Sequence, residues 1–276
     1  MKLQIIWDFS IERFTIGGAI VLRQEAEYLA EINKINKIYV FVKNYSNDIS
    51  NFDRVYKNVF NSSVYTFELI EELDENELMW PTPDMLKKKN FSYFSFERLK
   101  ILYETYKLPF LLKWDAITIT NATNFIKNFS KPIFAVHLKY VFPYEITESN
   151  AELEEWCNFF IKNKNYDFLL IGDDNVSEIM QKCKNVFTTC NLNLAEQLCL
   201  VNQTNGFIGT ASGICNAAFF SIIPFVVFKH PEHHIKEMEH ELGSSKKFSF
   251  SSNKQLLLRE IADTESLERA LKFILS

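Results

Sequence analysis

Short apolar runs alternate with amphipathic stretches from the start of the chain. Leu3–Phe9 reads as a strand, Ala19–Ile32 as a helix with its apolar residues on one face, and Ile38–Val42 as a second, buried strand. Gly17 and Gly18 open the helix between the two strands. A strand, a glycine loop, a helix and a strand form a βαβ unit, so the pattern predicts a parallel sheet.

The pattern is weaker between residues 44 and 125. Val64–Leu69 and Ala116–Thr120 are predicted as strands, the latter because it is rich in β-branched residues. Phe91–Tyr106 is predicted as a helix with an aromatic face, Trp80–Pro83 as a turn, and Glu68–Leu78 as an acidic helix or a loop.

The second half alternates strictly between strands and helices, which predicts a doubly wound α/β domain. The helix Asn193–Val201 carries Glu196 three residues after its cap, the arrangement of a capping box. The predicted strands are Pro132–Leu138, Asp167–Ile171, Val186–Thr189, Gly206–Gly209 and Pro224–Phe228, and the other predicted helices are Ala151–Asn163, Val176–Cys183, Thr210–Phe220 and Glu232–Leu242. The fold class we predict is α/β, with two Rossmann-like domains on parallel sheets, residues 1–128 and 129–276, facing a cleft.

Composition restricts the class of protein further. The chain has 276 residues, 47% apolar and 24% charged, as in globular rather than disordered proteins. The net charge of −5 argues against a nucleic-acid partner, which a clustered basic surface would bind. The longest apolar run, Ala217–Phe228, is shorter than the roughly 20 residues of a membrane span. The five cysteines form no CxxC pair, so we expect a cytoplasmic protein with reduced thiols and without a structural metal or cofactor.

Ligands of open parallel sheets bind beyond the carboxyl ends of the strands, so the residues that follow each predicted strand are the candidates for a site. These positions are polar or glycine-rich, unlike the strands before them. The residues are Asp8, His137, Lys139, Gly172–Asp174, Gly209–Gly213, Lys229 and His230. The pair Asp173-Asp174 fits either a turn that caps the next helix or an acceptor for a ribose or a base.

The segment Gly206–Asn216 gives the strongest of these signals. A strand delivers Gly209, and Thr210, Ser212 and Gly213 follow at the predicted start of a helix. Free N–H groups and the helix dipole at such a start favour an anion, and small side chains let a phosphate approach the backbone. The same sequence also fits a plain turn with Thr210 or Ser212 as N-cap. It contains neither a Walker loop nor GxGxxG, which disfavours P-loop ATP chemistry and classical NAD binding.

Several histidines follow Lys229, and behind Pro231 they would share one helical face. The series lacks an HExxH motif, and zinc ligands normally come from more than one element. We therefore favour a solvated helix face for the later histidines, with Lys229 and His230 facing the cleft, over a metal site.

Two segments together resemble GT-B glycosyltransferases. Asn205–Ala218, followed by the strand Ile223–Phe228, is similar to the donor-binding end of heptosyltransferases, in which a Gly-Thr-Asp-Ser-Gly-like turn opens a helix. His137-Leu-Lys139 resembles the His-x-Arg strand end of fucosyltransferase-type enzymes. The resemblance covers about residues 132–242.

The chain departs from the heptosyltransferase pattern at three places. Ala211 replaces the aspartate of the donor turn, and Asn216 stands where that family often has histidine. Gly17-Gly18 replaces a Gly-Asp pair that supplies the acidic catalytic residue. Either Asp8 or Glu12 is then the catalytic base, or the reaction differs from that of the family.

The resemblance implies a metal-independent glycosyltransferase of polysaccharide biosynthesis, with a nucleotide-sugar donor and a glycan or glycolipid acceptor. Cationic side chains would offset the charge on the leaving diphosphate, and a carboxylate would deprotonate the acceptor hydroxyl. The donor-binding residues implied are His137, Lys139, Gly172, Asp173, Thr210, Ser212, Gly213, Asn216, Lys229 and His230. Peripheral contact with a membrane and the oligomeric state stay open. The alternatives are a nucleotide-sugar hydrolase or epimerase, and a non-catalytic binder of a phosphorylated ligand.

Overall fold

The computed structural model describes residues 1–44, 49–140, 150–172, 182–242 and 245–276. Its contacts divide the chain into two compact units, the N-terminal unit (Met1–Ala116) and the C-terminal unit (Ile117–Ser276). Each unit contains its own sheet of parallel strands, so the predicted α/β class with two parallel sheets is confirmed. The predicted domain limit at residue 128 stays a prediction, and the contact division falls earlier in the chain.

The N-terminal unit is built on four parallel strands in the order β3-β2-β1-β4. The strands are β1 (Leu3–Asp8), β2 (Lys37–Lys43), β3 (Thr66–Ile70) and β4 (Leu78–Trp80), and the helices are α1 (Ile16–Asn33), α2 (Ile49–Val59), α3 (Pro83–Leu86) and α4 (Glu97–Tyr106). Every residue of β1 is buried, as the continuous apolar run in its sequence requires of a central parallel strand.

Helix α1 is buried almost along its whole length although it carries charged residues. Arg23 pairs with Glu27 one turn later at 2.7 Å, and it also donates to the carbonyl of Val59 at the end of α2. Glu25 pairs with Arg98 of α4 at 2.9 Å. Buried charges are tolerated when they are paired and hydrogen-bonded, and here each one is.

The C-terminal unit is built on six parallel strands in the order β10-β9-β8-β5-β6-β7. The strands are β5 (Ile133–His137), β6 (Asp167–Leu170), β7 (Val186–Thr188), β8 (Gly206–Thr210), β9 (Phe225–Phe228) and β10 (Gln255–Leu258). The helices are α5 (Ala116–Ile126), α6 (Leu153–Lys162), α7 (Leu194–Val201), α8 (Asn216–Phe219), α9 (Ile235–Leu242) and α10 (Thr264–Leu275), with a 3₁₀ turn at Gly213–Cys215.

Aromatic residues fill the core of the C-terminal unit. Trp156, Phe159 and Phe160 of α6 pack with Phe134 of β5 and Phe168 of β6. Helix α10 packs on α6 and on β8 and β9. These contacts fix the central strands, whose carboxyl ends carry most of the candidate site residues.

The predicted strand over Ala116–Thr120 is wrong, because these residues begin helix α5. Asn121 donates to Glu196 of α7 at 2.6 Å, and the Thr123 hydroxyl donates to Gln203 at 2.8 Å. Docking on α7 therefore outweighs the β propensity of the isoleucines and threonines. The predicted capping box of α7 is confirmed, with Asn193 accepting from the amide of Glu196.

The predicted helix Phe91–Tyr106 is right only from Glu97 onward. Ser92 and Tyr93 form irregular backbone that binds side chains of other elements. The stretch Glu68–Leu78 was predicted as an acidic helix or a loop, and the loop is right only for residues 71–77. Glu68–Ile70 belong to β3, and Leu78 begins β4. Most of the predicted helix Val176–Cys183 lies outside the described residues. Over the described ranges, no helix combines the length and the apolar character needed to cross a membrane.

Candidate functional site

In the C-terminal sheet, the order in which the chain adds strands reverses between β5 and β8. From β5 the chain proceeds outward to β6 and β7, and it then returns to β8 on the other side of β5 before continuing to β9 and β10. This is the strand order of the doubly wound dinucleotide-binding folds, in which ligands occupy the crevice outside the carboxyl ends at the reversal. His137 pairs in register with Gly209, and Thr210 with Phe228, so these strand ends lie side by side.

The buried hydroxyl of Thr210 ties the ends of β5 and β8 together. It accepts a hydrogen bond from the backbone N–H of Lys139 at 2.6 Å and lies 3.4 Å from the carbonyl of His137, to which it donates. A Cβ atom on the neighbouring Gly209 would lie 2.9 Å from that same carbonyl, which is closer than real contacts allow. Thr210 therefore acts on the backbone around the site and sets where Lys139 leaves the sheet.

The turn after β8 exposes backbone donors. The predicted helix Thr210–Phe220 is wrong in its first part, since Thr210 ends β8 and a 3₁₀ turn begins at Gly213. The Ser212 hydroxyl caps this turn by accepting from the amide of Ile214 at 3.1 Å. Among the described residues, none accepts a hydrogen bond from the amides of Ser212 or Gly213. These two N–H groups are available to an anion.

His137 and Gly172 lie against each other. The buried Nδ1 of His137 lies 2.7 Å from the carbonyl of Ile171, so this nitrogen carries the proton and donates. Gly172 has φ of 108°, and a Cβ there would lie 3.1 Å from Nδ1 of His137. The amide of Gly172 donates to Gln197 at 2.9 Å. Only glycine suits this position, because other residues rarely adopt this positive φ and a side chain would crowd the His137 ring. Asp173 lies outside the described residues.

A cluster of cations follows the ends of β5, β9 and β10. Burial lowers the pKa of Lys229, and the nearby charges of Lys139 and Arg259 lower it further, while Glu241 opposes them. His234 belongs to the same cluster, because burial and then Lys229 lower its pKa. A bound anion would relieve the repulsion between these like charges.

Sequence reasoning missed Arg259 and His234. Arg259 follows β10, and the strand-end rule would have selected it had Gln255–Leu258 been read as a strand. His234 was placed on a helix face, but α9 begins only at Ile235 and His234 has φ of 51° in the preceding turn. The predicted common helical face of the histidines is therefore wrong.

The two remaining candidates of the C-terminal unit occupy structural positions. Nδ1 of His230 accepts from the amide of Glu232 at 3.3 Å within the turn before α9. Asn216 is buried as the first residue of α8. Cys215 beside it donates to the carbonyl of Thr210 at 3.1 Å, and burial raises the pKa of this thiol to about 12. Such a thiol is unreactive.

In the N-terminal unit, Asp8 ends β1 and its carboxylate is heavily bonded. Oδ1 accepts from the amide of Ser10 at 2.9 Å, from its hydroxyl at 2.6 Å and from Asn44 at 2.9 Å. Oδ2 lies 3.2 Å from the ammonium of Lys43. Burial on its own would raise the pKa of Asp8, but these donors together hold the pKa below its usual value.

Glu12 follows in the loop between β1 and α1 and is half-buried. Its Oε2 accepts from the amide of Tyr93 at 2.7 Å and from the hydroxyl of Ser92 at 3.2 Å. Burial raises the pKa of Glu12, and the bonds from Tyr93 and Ser92 and the charge of Arg98 only partly oppose it. Of the two carboxylates, Glu12 thus has the greater affinity for a proton, which a general base requires. On described residues alone, no three His, Cys, Asp or Glu side chains are grouped to hold a metal ion.

Comparison with known proteins gives matches at the level of structure. No family model matches the chain, and no curated protein sequence matches it. The glycosyl transferase family 9 protein of Veillonella parvula superposes with a TM-score of 0.62 at 10% identity, over 99% of this chain and 97% of that chain.

Two heptosyltransferases of Escherichia coli also match. Heptosyltransferase WaaC with ADP gives a TM-score of 0.54 at 9% identity, covering 99% of this chain and 100% of that one. ADP-heptose LPS heptosyltransferase II gives 0.50 at 12% identity, covering 100% and 99%. The resemblance to GT-B glycosyltransferases is therefore confirmed as a likeness of fold, and it extends over the whole chain.

Proposed function

We propose that this chain, which has the fold of these glycosyltransferases, transfers a sugar from a nucleotide-diphosphate donor to a hydroxyl of a glycan or glycolipid acceptor. The C-terminal unit binds the donor, and the N-terminal unit supplies the base. A fold hosts many functions, so the proposal depends on the chemistry of the candidate residues and not on the fold alone.

The observation that carries the proposal is the set of donors at the reversal between β5 and β8. Lys139 leaves β5 at a position fixed by Thr210, and the open amides of Ser212 and Gly213 follow β8. Lys229 follows β9, whose last residue pairs in register with Thr210. Amides and ammonium groups converging on one sheet edge suit a diphosphate, which accepts charge-assisted hydrogen bonds.

The remaining candidates surround this set. His137 and Gly172 shape the adjacent strand ends, and Asn216 and His230 shape the two turns. We assign these four residues to positioning the donor site. Asp173, outside the described residues, stays a donor-binding residue predicted from the sequence.

Sugar transfer then proceeds by a balanced displacement. Glu12 takes the proton of the acceptor hydroxyl, the acceptor oxygen forms a bond to the anomeric carbon, and the bond from that carbon to the phosphate oxygen breaks. The nucleoside diphosphate leaves with the electron pair. Lys139 and Lys229 offset the charge that develops on it, which is why we expect no requirement for a divalent metal.

The test is nucleotide release from the purified full chain. ADP-heptose and the common UDP, GDP and CDP sugars are supplied with and without a glycan acceptor, before and after treatment with EDTA. We expect release from one donor that depends on acceptor and withstands EDTA. Release without acceptor would indicate a hydrolase, and binding without release would indicate a non-catalytic protein.

A pair of lysine variants ties the activity to the site. Lys229→Met should abolish most of the release. Lys254→Met is the matched control, because Lys254 precedes β10 and so lies at the amino end of the sheet. Equal loss in both variants would contradict the assignment of the donor site.

A further inference from the structure

The carboxylate of Glu12 is held by a two-residue segment from outside its own loop. Ser92 and Tyr93 lie between α3 and α4, and both donate to Glu12, Ser92 through its hydroxyl and Tyr93 through its backbone amide. The Tyr93 phenol also binds the end of β1, donating to the carbonyl of Ile6 at 3.0 Å and accepting from the amide of Asp8 at 2.9 Å. The segment is thus anchored to the strand from which the Glu12 loop departs.

Arg98 of α4 holds the same segment from behind. Its Nη1 donates to the carbonyl of Ser92 at 2.8 Å, and its Nη2 lies 3.5 Å from the carbonyl of Tyr93. Its Nε donates to the buried carboxylate of Glu25 at 2.9 Å, and Trp80 donates to that carboxylate at 2.8 Å. The guanidinium is therefore fixed on α1 and presents its remaining N–H groups to the backbone that carries the donors to Glu12.

A planar guanidinium can do this and an ammonium cannot. Arginine offers five N–H donors in a rigid fork, so it can satisfy one carboxylate and two carbonyls at once. Lysine would keep the positive charge near Glu12 but would lose the fixed directions. The charge and the geometry can therefore be separated by substitution.

We propose that Ser92 and Arg98 are positioning residues for the base Glu12. Ser92 holds the carboxylate as a hydrogen-bond acceptor, and Arg98 keeps the Ser92-Tyr93 segment in the conformation that directs its donors to Glu12. This inference rests on the proposed function, because it gives Glu12 the role of base.

The charged groups around Glu12 determine the direction of its titration. Arg98, on α4, lowers its pKa and is itself compensated by Glu25 on α1. Asp8, at the end of β1, donates a hydrogen bond from its backbone amide to the Tyr93 phenol, and its carboxylate is compensated by Lys43. Loss of the Ser92 hydroxyl therefore raises the pKa of Glu12, since Glu25 stays paired with Arg98 and Asp8 with Lys43 when Ser92 is replaced.

The experiment measures this pKa directly. The full chain is labelled with ¹³C at the glutamate carboxyls, and the Glu12 resonance is assigned by its loss in Glu12→Gln. We expect Ser92→Ala to raise the pKa by about one unit, as the loss of a hydrogen bond to a charged group implies. The acidic limb of the pH–rate profile should move by the same amount, so that activity below both pKa values falls about tenfold.

Two further variants complete the test: one separates the geometry of Arg98 from its charge, and the other is a control. Arg98→Lys keeps the positive charge. A raised pKa of Glu12 in this variant would therefore result from the loss of the directed guanidinium hydrogen bonds to Ser92 and Tyr93. Ser10→Ala is the matched control, because it removes a hydroxyl of the same kind from Asp8 and leaves the donors to Glu12 in place. We expect the Glu12 resonance of Ser10→Ala to titrate as in the unsubstituted protein.

The outcomes separate the inference from the proposed function. A Glu12 pKa unmoved in both Ser92→Ala and Arg98→Lys overturns the positioning role. A shifted pKa with an unmoved acidic limb overturns Glu12 as the base, and a limb that moves in Ser10→Ala instead assigns that role to Asp8. Absence of transfer in the unsubstituted protein refutes the proposed function, while the carboxyl titration still reports on the hydrogen bonds.

Discussion

The backbone N–H of Lys139 donates a hydrogen bond of 2.6 Å to the hydroxyl of Thr210, and this bond joins the ends of β5 and β8. The same hydroxyl donates to the carbonyl of His137. One side chain therefore satisfies two backbone groups at the point where the sheet reverses its strand order. The position of Lys139 depends on it.

Thr210→Val keeps the shape of the side chain and removes the hydroxyl. We expect the free energy of unfolding to fall by about 1–3 kcal/mol, because the half-buried amide of Lys139 loses its partner. Urea denaturation measures the change, with Thr210→Ser as a control that retains the hydroxyl. If Val and Ser variants are equally stable, the bond does not support the fold.

Lys229→Met should weaken the binding of nucleoside diphosphates more than that of the matching nucleoside. A charge-assisted hydrogen bond is worth about 1.5–3 kcal/mol, or roughly ten- to a hundredfold in affinity. Calorimetric titration of both ligands checks this, and Lys254→Met should bind like the unsubstituted chain. Equal weakening of nucleoside and diphosphate would contradict a phosphate contact.

The pH dependence of that binding has a defined sign. The pKa of Lys229 is lowered in the folded protein, by burial first and then by Lys139 and Arg259. The ligand-free protein therefore gains stability as the pH rises through this lowered value toward the unfolded one. A diphosphate favours the protonated amine, so its affinity should fall over the same rise in pH. Lys229→Met should lose this dependence, which titrations at several pH values would reveal.

Gly213→Pro should remove a phosphate donor without unfolding the turn. Gly213 is the first residue of the 3₁₀ turn, where proline is tolerated, and Ser212 before it is already extended with φ of −153° and ψ of 178°. We expect an unchanged melting temperature and at least tenfold weaker binding of the diphosphate. Gly213→Ala keeps the N–H and serves as the control. Tight binding by the folded proline variant would place the phosphates elsewhere.

Arg23→Met should destabilise the N-terminal unit strongly. The Arg23–Glu27 pair is fully buried, so removal of the cation leaves an unpaired buried carboxylate and costs about 3–5 kcal/mol. The exposed pair Lys113–Glu31 is a matched comparison, and Lys113→Met should cost less than about 1 kcal/mol. Denaturant unfolding of both variants distinguishes the two cases. Similar losses would mean that burial does not govern these pairs.

The central strands could be predicted because they are buried on both faces and appear as continuous apolar runs. β1, β5 and β8 are buried at every residue, and each was predicted. The cap of α7 was predictable for another reason, since Asn193 and Glu196 lie only three residues apart. Elements set by distant contacts were not predictable. Helix α5 has the composition of a strand and is helical where it docks on α7.

The same distinction applies to the candidate site. The strand-end rule selected Lys139, Thr210 and Lys229 from their positions alone, and the structure brings all three to one sheet edge. It could not reveal that the Thr210 hydroxyl binds backbone, because that bond joins residues far apart in sequence. For the same reason the different surroundings of Asp8 and Glu12, which Asn44 and Tyr93 create, have no local signature.

Helix α1 is locked in rotation as well as packed. Arg23 binds the carbonyl of Val59 at the end of α2, and Glu25 binds Arg98 of α4. These two contacts hold α1 in one orientation about its own axis. Turning α1 by a single residue, about 100°, would separate Arg23 from the Val59 carbonyl and Glu25 from Arg98 inside the core. The segment that carries Glu12 enters this helix at its amino end. The direction in which the Glu12 loop leaves α1 is therefore fixed by the orientation of this helix. Substitutions in α1 should be tolerated only where they preserve that orientation.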